Sequence, residues 1–475
     1  MRIKSILLTF MAVLAFTACN NEVLSPSTEI DEAEVMEKGY LVLNLVNPTT
    51  TRTYGDATDI GTAKESEINS LMVVFTDATG TIVSTEEPTN ANGVTVKFKV
   101  TLGTYDVYAL INKPDDVIVT VGGKIEQVIE VAAVAEATSG YKSSSFFMVN
   151  KRNSNAENAG VTTIINSTHS ISNPAHVFIY VDRVACKIVD NTATPDVTNL
   201  KSATGGLIFD VEVMGFAVLN VNREFNLIQT WSDNNAGGLT LEEDVLSTPL
   251  YPGGASDLVA NQYFYNIGRY ATIEKDDKDS IISIVDKTVD EDFFGKDPVY
   301  TTENRPTIIG NGTEISAGRG ETTGVIYKVK AKKDENTDLG TFYTYKNEFY
   351  EDIAAIQALQ EFDNHTLVSF EISELRALGI RVYEDGVMYY TYFIRDPNVE
   401  YQHKGKNYYG VFRNSTYKLA INSISSLGDD IPGGAVVDPS EPGDLGNPPI
   451  ETEETYIQVS VVVNKWILNI LSIDF

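Results

Sequence analysis

The chain contains few of the residues that build disulfide frameworks or metal centres. It has two cysteines, Cys19 and Cys186, and four histidines among 475 residues. A structural zinc site needs Cys or His ligands at short spacings. The histidines are scattered instead, at His169, His176, His365 and His403. We therefore expect no metal centre, no cofactor and no disulfide framework. Cys186 lies in an apolar run, which predicts a buried, unreactive thiol.

Basic residues are also scarce. Lys and Arg together number 36 against 66 Asp and Glu, which gives a formal net charge of −30. A surface of this sign repels nucleic acid and anionic lipid. We therefore expect neither as a partner, apart from any lipid attached covalently to the precursor.

Catalytic motifs are missing as well. There is no GxSxG elbow and no HExxH pair, and the glycine-rich stretch at residues 318–324 does not have the GxGxxG spacing. The acidic stretch at residues 290–292 begins like a calcium loop, but Thr301 stands where the bidentate Glu is needed. The sequence does not single out a carboxylate pair that could serve a hydrolase, so we predict that the protein is not an enzyme.

The sequence is rich in strand signals. Residues 71–75, 94–100 and 105–111 carry β-branched and aromatic side chains and are separated by turn residues. Helical spacing is confined to residues 349–361 and to one turn at residues 373–379. The pattern predicts an all-β protein with a few short helices, and the chain length favours two domains.

The N-terminus has the features of an export signal. Arg2 and Lys4 precede an apolar stretch, residues 6–16, that is too short to span a bilayer. Small residues then lead to Cys19, as in a bacterial lipobox. We expect residues 1–19 to be a signal peptide ending at a lipidated Cys19. The alternative is an ordinary cleaved signal with an incidental cysteine.

Residues 20–52 follow as a predicted propeptide with a short strand. Leu41, Leu43 and Leu45 share one face of this strand. The strand leads into a small polar loop that contains Arg52 and Thr53, in a segment where a protease can thread an extended chain.

The C-terminal end shows the same alternation over a longer stretch. Residues 428–455 are dense in Gly, Pro and acidic residues, which is typical of an extended linker. Residues 456–475 follow as a predicted strand, and an unpaired apolar strand of this length would aggregate, so it needs a groove. Its predicted inserting residues are Ile457, Val459, Val461, Val463, Trp466, Ile467, Leu471, Ile473 and Phe475.

Several strings, taken in order, resemble the fimbrillin family, the major subunits of Bacteroidales (type V) fimbriae. Besides the Cys19 lipobox and the Arg52 loop, they are residues 65–75, 103–110, 181–188, 322–328, 389–396, 411–419 and 461–466. Lys465, which precedes Trp466, departs from the family pattern, where Pro is expected.

The resemblance implies two tandem transthyretin-like β-sandwich domains, here residues 53–228 and 229–427, and a C-terminal donor strand. It also implies cleavage after Arg52 by an arginine-specific protease. Removal of the first strand would then open a groove that the C-terminal strand of an adjacent copy fills. The bare residues are consistent with this exchange, because both strands alternate in the same way and can occupy the same apolar groove.

We therefore expect the structural stalk subunit of an adhesive, cell-surface fimbria. It would be exported to the outer membrane as a lipoprotein, with other copies, tip and anchor subunits, the protease and a surface receptor as partners. The alternative is a monomeric surface lipoprotein that binds glycan through tandem sandwiches. A secreted hydrolase is a third hypothesis, without support from any motif.

Overall fold

The described residues are mainly in strands. A computed structural model describes residues 37–46, 58–88, 95–115, 117–129, 133–134, 145–151, 159–193, 195–197, 200–201, 207–208, 210–219, 221–222, 224–225, 227–228, 235–236, 239–240, 262–263, 294–304, 308–310, 315–317, 322–334, 336–346, 348–400, 407–430 and 457–467. The segment Lys38–Phe475 forms one compact unit.

The strands are numbered in chain order. Those before residue 230 are Lys38–Val46 (β1), Thr58–Ile60 (β2), Leu71–Thr76 (β3), Ile82–Glu86 (β4), Thr95–Thr101 (β5), Gly103–Ile111 (β6), Ala133–Val134 (β7), Met148–Asn150 (β8), Val161–Ile165 (β9), Ala175–Arg183 (β10), Ala185–Asp190 (β11), Asp196–Val197 (β12), Leu200–Lys201 (β13), Leu207–Ile208 (β14), Asp210–Leu219 (β15), Val221–Asn222 (β16) and Glu224–Phe225 (β17). Those after it are Asn235–Ala236 (β18), Leu239–Thr240 (β19), Gln262–Tyr263 (β20), Val299–Thr302 (β21), Ile308–Gly310 (β22), Ile315–Ala317 (β23), Gly324–Asp334 (β24), Thr337–Asp338 (β25), Phe342–Tyr345 (β26), Glu348–Tyr350 (β27), Arg381–Tyr383 (β28), Val387–Phe393 (β29), Arg395–Glu400 (β30), Asn407–Tyr409 (β31), Ser415–Ile424 (β32) and Ile457–Ile467 (β33).

Helical structure in the described part is short. The α-helices are Ile125–Ile129 (α1), Ile353–Gln357 (α2) and Ile372–Ala377 (α3), and the 3-10 turns are Lys64–Ser66, Gln360–Phe362, Leu367–Ser369 and Glu384–Gly386. Within the described ranges, no helix is long and apolar enough to cross a bilayer. The prediction of an all-β fold with a few short helices is confirmed.

Two sheets position the strands that matter for function. The first has eight strands in the order β4-β3-β6-β8-β10-β1-β5, with β9 also paired to β6. The second has six strands in the order β2-β33-β32-β11-β21, with β12 also paired to β32. Buried residues of both sheets, such as Leu43 of β1 and Leu419 of β32, belong to one continuous apolar core.

The hydrogen bonding changes partners at Val184. The strand before it, β10, pairs with β1 and β8, whereas the strand after it, β11, pairs with β21 and β32. This change of strand partners lies before the predicted border between residues 228 and 229. The tandem division into residues 53–228 and 229–427 stays a prediction.

The helical segment differs in detail from the expectation. Phe349, predicted to begin a helix, lies in β27, where it pairs with Thr344 of β26. The helix begins later because the Asp352 carboxylate accepts a hydrogen bond from Ala354 N at 2.9 Å and caps α2. In α3 the cap is Glu371, since Glu371 and Glu374 form a reciprocal capping box.

Candidate functional site

The first strand lies between two neighbours. Along its length β1 pairs parallel with β10 and antiparallel with β5. Among the described strands β5 has no other partner, so the removal of β1 would leave β5 unpaired and would expose an edge of β10.

The apolar face of this strand is fully packed. Leu41 and Leu43 are 0% exposed and Leu45 is 4% exposed. In register, Leu43 is flanked by Val177 on one side and by Val96 on the other. Full burial of each leucine contributes about 1.5–3 kcal/mol, so without β1 the slot is a strongly apolar groove. The predicted face of the strand is observed, and the displacement of these leucines stays a prediction.

The C-terminal strand lies in the second sheet of the same chain. It runs antiparallel to β32 over nearly its whole length, from Ile457 opposite Ile424 to Lys465 opposite Ser415. Ile457 and Val463 are buried, Val459 and Val461 are half-buried, and Val462 on the other face is 54% exposed. The predicted alternation is therefore present here too.

The strand is not perfectly accommodated in this position. Asn464 is buried, and its amide oxygen has no hydrogen-bond partner among the described residues. A buried polar atom left unpaired costs about 1–3 kcal/mol. The position of Asn464 therefore offsets part of the stability that the strand gains in this sheet.

Part of the predicted site cannot be placed. Cys19, Arg52 and Thr53 lie outside the described residues, as do the linker residues 431–455 and the end of the strand with Leu471, Ile473 and Phe475. The backbone of Trp466 and Ile467 is described as part of β33, but their side chains are not.

The short strand β2 begins five residues after Thr53 and contacts the C-terminal strand. It pairs parallel with β33, with Thr58 opposite Lys465 and Ile60 opposite Ile467. The Asp59 carboxylate also accepts from Lys418 Nζ at 3.2 Å, and Lys418 belongs to β32. Because β33 lies between β2 and β32, this ion pair passes over β33.

A buried carboxylate holds the chain just beyond β2. The oxygen Glu65 Oε1 accepts from Lys187 Nζ at 2.8 Å and from the Tyr300 hydroxyl at 2.7 Å, and Glu65 Oε2 accepts from Thr62 N at 2.7 Å. Burial alone would raise the pKa of Glu65, but these hydrogen bonds together hold it below its ordinary value of 4.5. Burial and the bond to Glu65 raise the pKa of Tyr300. The carboxylate therefore ties the segment to β11 and β21.

A second polar group joins the two sheets at Val184. The guanidinium of Arg183 donates from Nε to Glu65 O at 3.0 Å and from Nη2 to Ser66 Oγ at 3.2 Å. Asn414 donates from Nδ2 to Asp182 Oδ1 at 3.0 Å. These bonds fix the turn from β10 to β11 against the start of β32.

Glu65 and Arg183 were not among the predicted site residues. The sequence contains a local signal for Glu65, because Thr62 and Glu65 have the T-x-x-E spacing of a capping box. No local pattern indicates that Lys187 and Tyr300 meet this carboxylate. The described ranges contain no group of three or more His, Cys, Asp or Glu placed to hold a metal ion.

Comparison with known proteins supports one family. Residues 381–470 match the family described as "Major fimbrial subunit protein type IV, Fimbrillin, C-terminal". This stretch contains β28 to β33 and therefore the whole of the described C-terminal strand. The match confirms the resemblance indicated by the sequence strings, and it supports a structural rather than an enzymatic protein. No curated protein matches the chain.

Solved structures with distant similarity include a putative cell adhesion protein and two fimbrial proteins. A putative cell adhesion protein from Parabacteroides distasonis is 13% identical with a TM-score of 0.44, over 91% of this chain and 98% of that one. A fimbrilin (fimA) from Porphyromonas gingivalis is 13% identical with a TM-score of 0.43, over 91% and 99%. The tip fimbrial protein Mfa3 from the same species is 12% identical with a TM-score of 0.37, over 90% and 100%.

Proposed function

We propose that this chain is the stalk subunit of an adhesive fimbria, polymerised by exchange of its C-terminal strand. It is exported to the outer membrane as a lipoprotein attached at Cys19 and is cut after Arg52. The C-terminal strand of one copy then fills the slot that β1 leaves in the next. The match of residues 381–470 to fimbrillin supports the class of protein.

One observation carries the mechanism. The strand β1 supplies three buried leucines to a slot with a paired strand on each side, and it is the strand that cleavage after Arg52 would separate from the rest of the chain. Before the cut, β1 occupies its slot intramolecularly. After the cut, it is held by noncovalent contacts alone and can be replaced by a competing strand.

The competing strand has the required character. In β33, Ile457, Val459, Val461 and Val463 recur at every second position, as Leu41, Leu43 and Leu45 do in β1. An added strand gains affinity from backbone hydrogen bonds and specificity from alternate side chains that fill pockets. A head-to-tail contact of this kind does not close on itself and therefore grows filaments.

The first test treats the precursor lacking residues 1–19 with an arginine-specific protease. We expect a new N-terminus at Thr53 and heat-resistant polymers seen as a ladder on electrophoresis. Deletion of residues 456–475 should abolish the ladder, and Arg52→Ala should prevent both the cut and the polymers. A clean cut after Arg52 that leaves only monomers would contradict strand exchange.

Such a monomer would favour the alternative, a surface lipoprotein that binds glycan. The observation in its favour is a row of exposed aromatic rings on β10, formed by His176, Phe178 and Tyr180. The rings of His176 and Phe178 are stacked with centroids 6.5 Å apart. Aromatic faces can bind sugars, so polysaccharide binding lost in Phe178→Ala would distinguish this function.

A further inference from the structure

We propose that β2 is a latch that holds the C-terminal strand in its own chain, and that the cut after Arg52 releases it. This inference rests on the proposed function and adds a means of regulation. A single proteolytic event would then both free the first strand and loosen the strand that is to be donated.

The latch lies on the outer side of the C-terminal strand. In the second sheet β33 is held on one side by β32 and on the other by β2, which is the edge strand. The contact with β2 covers Lys465 to Ile467, at the end of the described strand. Any movement of β33 out of this sheet must first break its pairing with β2.

The latch, β2, is also linked to β32 on the far side of β33. The ion pair between Asp59 and Lys418 links β2 to β32 over β33. Both side chains are partly exposed, so the ion pair contributes little stability and serves mainly to align β2 with the sheet. It holds β2 in register against β33 without contacting the buried face of that strand.

The latch is tethered at two ends. Downstream, Glu65 is clamped by Lys187 and Tyr300, and its backbone carbonyl by Arg183. Upstream, the chain continues to β1, whose leucines are buried in the first sheet. A three-residue parallel strand is marginal by itself, so we infer that its pairing depends on both tethers.

The cut after Arg52 removes the upstream tether and leaves the downstream one intact. The new end lies five residues before Thr58, so β2 becomes the terminal segment of the chain. Terminal segments with few contacts fray first. The pairing with residues 465–467 should therefore open, and β32 should then be the remaining strand paired with β33.

The test uses amide hydrogen exchange on the full chain carrying Cys19→Ser, before the protease and on the monomer fraction isolated immediately after the cut, because insertion of the strand into a neighbouring copy would protect the same amides. We expect the amides of residues 457–467 to exchange at least about tenfold faster after the cut, as in local opening of an edge element. The Arg52→Ala chain, treated in the same way, should show no change. Unchanged exchange at residues 457–467 after a complete cut would overturn the latch.

A disulfide lock supplies the matched control within one protein. Thr58 and Lys465 lie opposite each other, so Thr58→Cys/Lys465→Cys can cross-link β2 to β33. The remaining thiol, Cys186, is buried. When oxidised, the variant should be cut after Arg52 but keep slow exchange and form no polymers. When reduced, it should recover fast exchange in the freshly cut monomer and polymers on longer incubation, which also shows that the variant folds.

The outcomes separate the latch from the proposed function. Polymers that form as fast in the oxidised lock as in the reduced one would overturn the latch and leave strand exchange standing. A change in exchange that the lock suppresses, without polymers in any sample, would support the latch and contradict the proposed function.

Discussion

Glu65 is a buried residue that joins the segment after β2 to β11 and β21. Its carboxylate is 3% exposed and accepts from Lys187, Tyr300 and the backbone of Thr62. A buried carboxylate in such a network stabilises the fold only while every partner is present, because an uncompensated buried charge is costly. Glu65 therefore links the segment after the cleavage loop to the second sheet.

We expect Glu65→Gln to lower the free energy of unfolding at neutral pH by about 1–3 kcal/mol, because Lys187 loses its charge partner while the shape is kept. Denaturant unfolding of both chains measures the difference. The matched control is Glu361→Gln, at a carboxylate paired with exposed Lys346, which should change stability much less because solvent screens that pair. Equal effects of the two substitutions would contradict the assigned role of Glu65.

The contribution of Glu65 should depend on pH. Because folding lowers its pKa below 4.5, its stabilising effect is fully present above that value and is lost as the pH falls through the folded pKa. Buried Asp182 has the opposite pH dependence, because burial raises its pKa more than the nearby charges of Lys151 and Arg413 lower it. The stability difference between wild type and Glu65→Gln should therefore be largest at about pH 7 and shrink towards about pH 3. A difference that grows in acid would have the wrong sign.

Cys186 should be unreactive in the folded chain. It is fully buried, and burial raises the pKa of its thiol well above the ordinary value. Labelling with a small thiol reagent at neutral pH should leave Cys186 unmodified until denaturant is added. Rapid labelling of the native Cys19→Ser chain would show that the second sheet opens at β11.

At the scale of the element, β1 and β33 each present a buried face and a more exposed face. Leu43 is buried in β1, whereas Asn44 is half-exposed and donates to Val177 O at 3.3 Å. We expect Leu43→Ala to destabilise the uncut precursor by about 2–5 kcal/mol, and Asn44→Ala by about 1 kcal/mol or less. Thermal unfolding of the uncut chains measures both losses of stability. A larger loss for Asn44→Ala than for Leu43→Ala would contradict the assignment of the leucine face to the core.

The donor strand can be tested in the same way. Val463 is buried and Val462 is 54% exposed. Under the proposed exchange, Val463→Asp should reduce the yield of polymers after the cut by at least about tenfold, because a carboxylate would enter an apolar groove. Val462→Asp, with the same change of charge on the neighbouring residue, should polymerise nearly as wild type. Circular dichroism of both uncut chains shows whether either variant has failed to fold.

At the scale of the whole molecule, strand exchange gives a filament two different ends. Under the proposed exchange, a cut chain that lacks residues 456–475 can accept a strand in place of β1 but has no strand to donate. Added to cut wild type, it should cap one end and shorten the polymers in proportion to its molar fraction, as sizing by electron microscopy would show. The same deletion carrying Arg52→Ala keeps its groove filled and should leave the lengths unchanged. Equal shortening by both chains would contradict a head-to-tail contact.

Several features of the molecule were predictable from local patterns. The alternation in residues 41–45 and 457–463 indicates which side chains face the core, because successive side chains of a strand point to opposite faces. The strands at residues 71–75 and 105–111 were predicted to within a few residues of their observed bounds. Phe349 was wrongly placed in a helix because its spacing to Ile353 and Ile356 is helical, whereas its pairing with β26, which local spacing does not reveal, makes it part of a strand.

The sequence by itself determined the all-β class, the faces of the first and last strands and the resemblance to fimbrillin. Only the tertiary structure decided that β1 lies between β5 and β10, that β33 lies between β2 and β32, and that Lys187 and Tyr300 clamp Glu65. The physical reason is that periodicity is a property of neighbours along the chain. Strand partners and buried ion pairs join residues far apart in sequence, and the choice among them depends on the packing of the whole core.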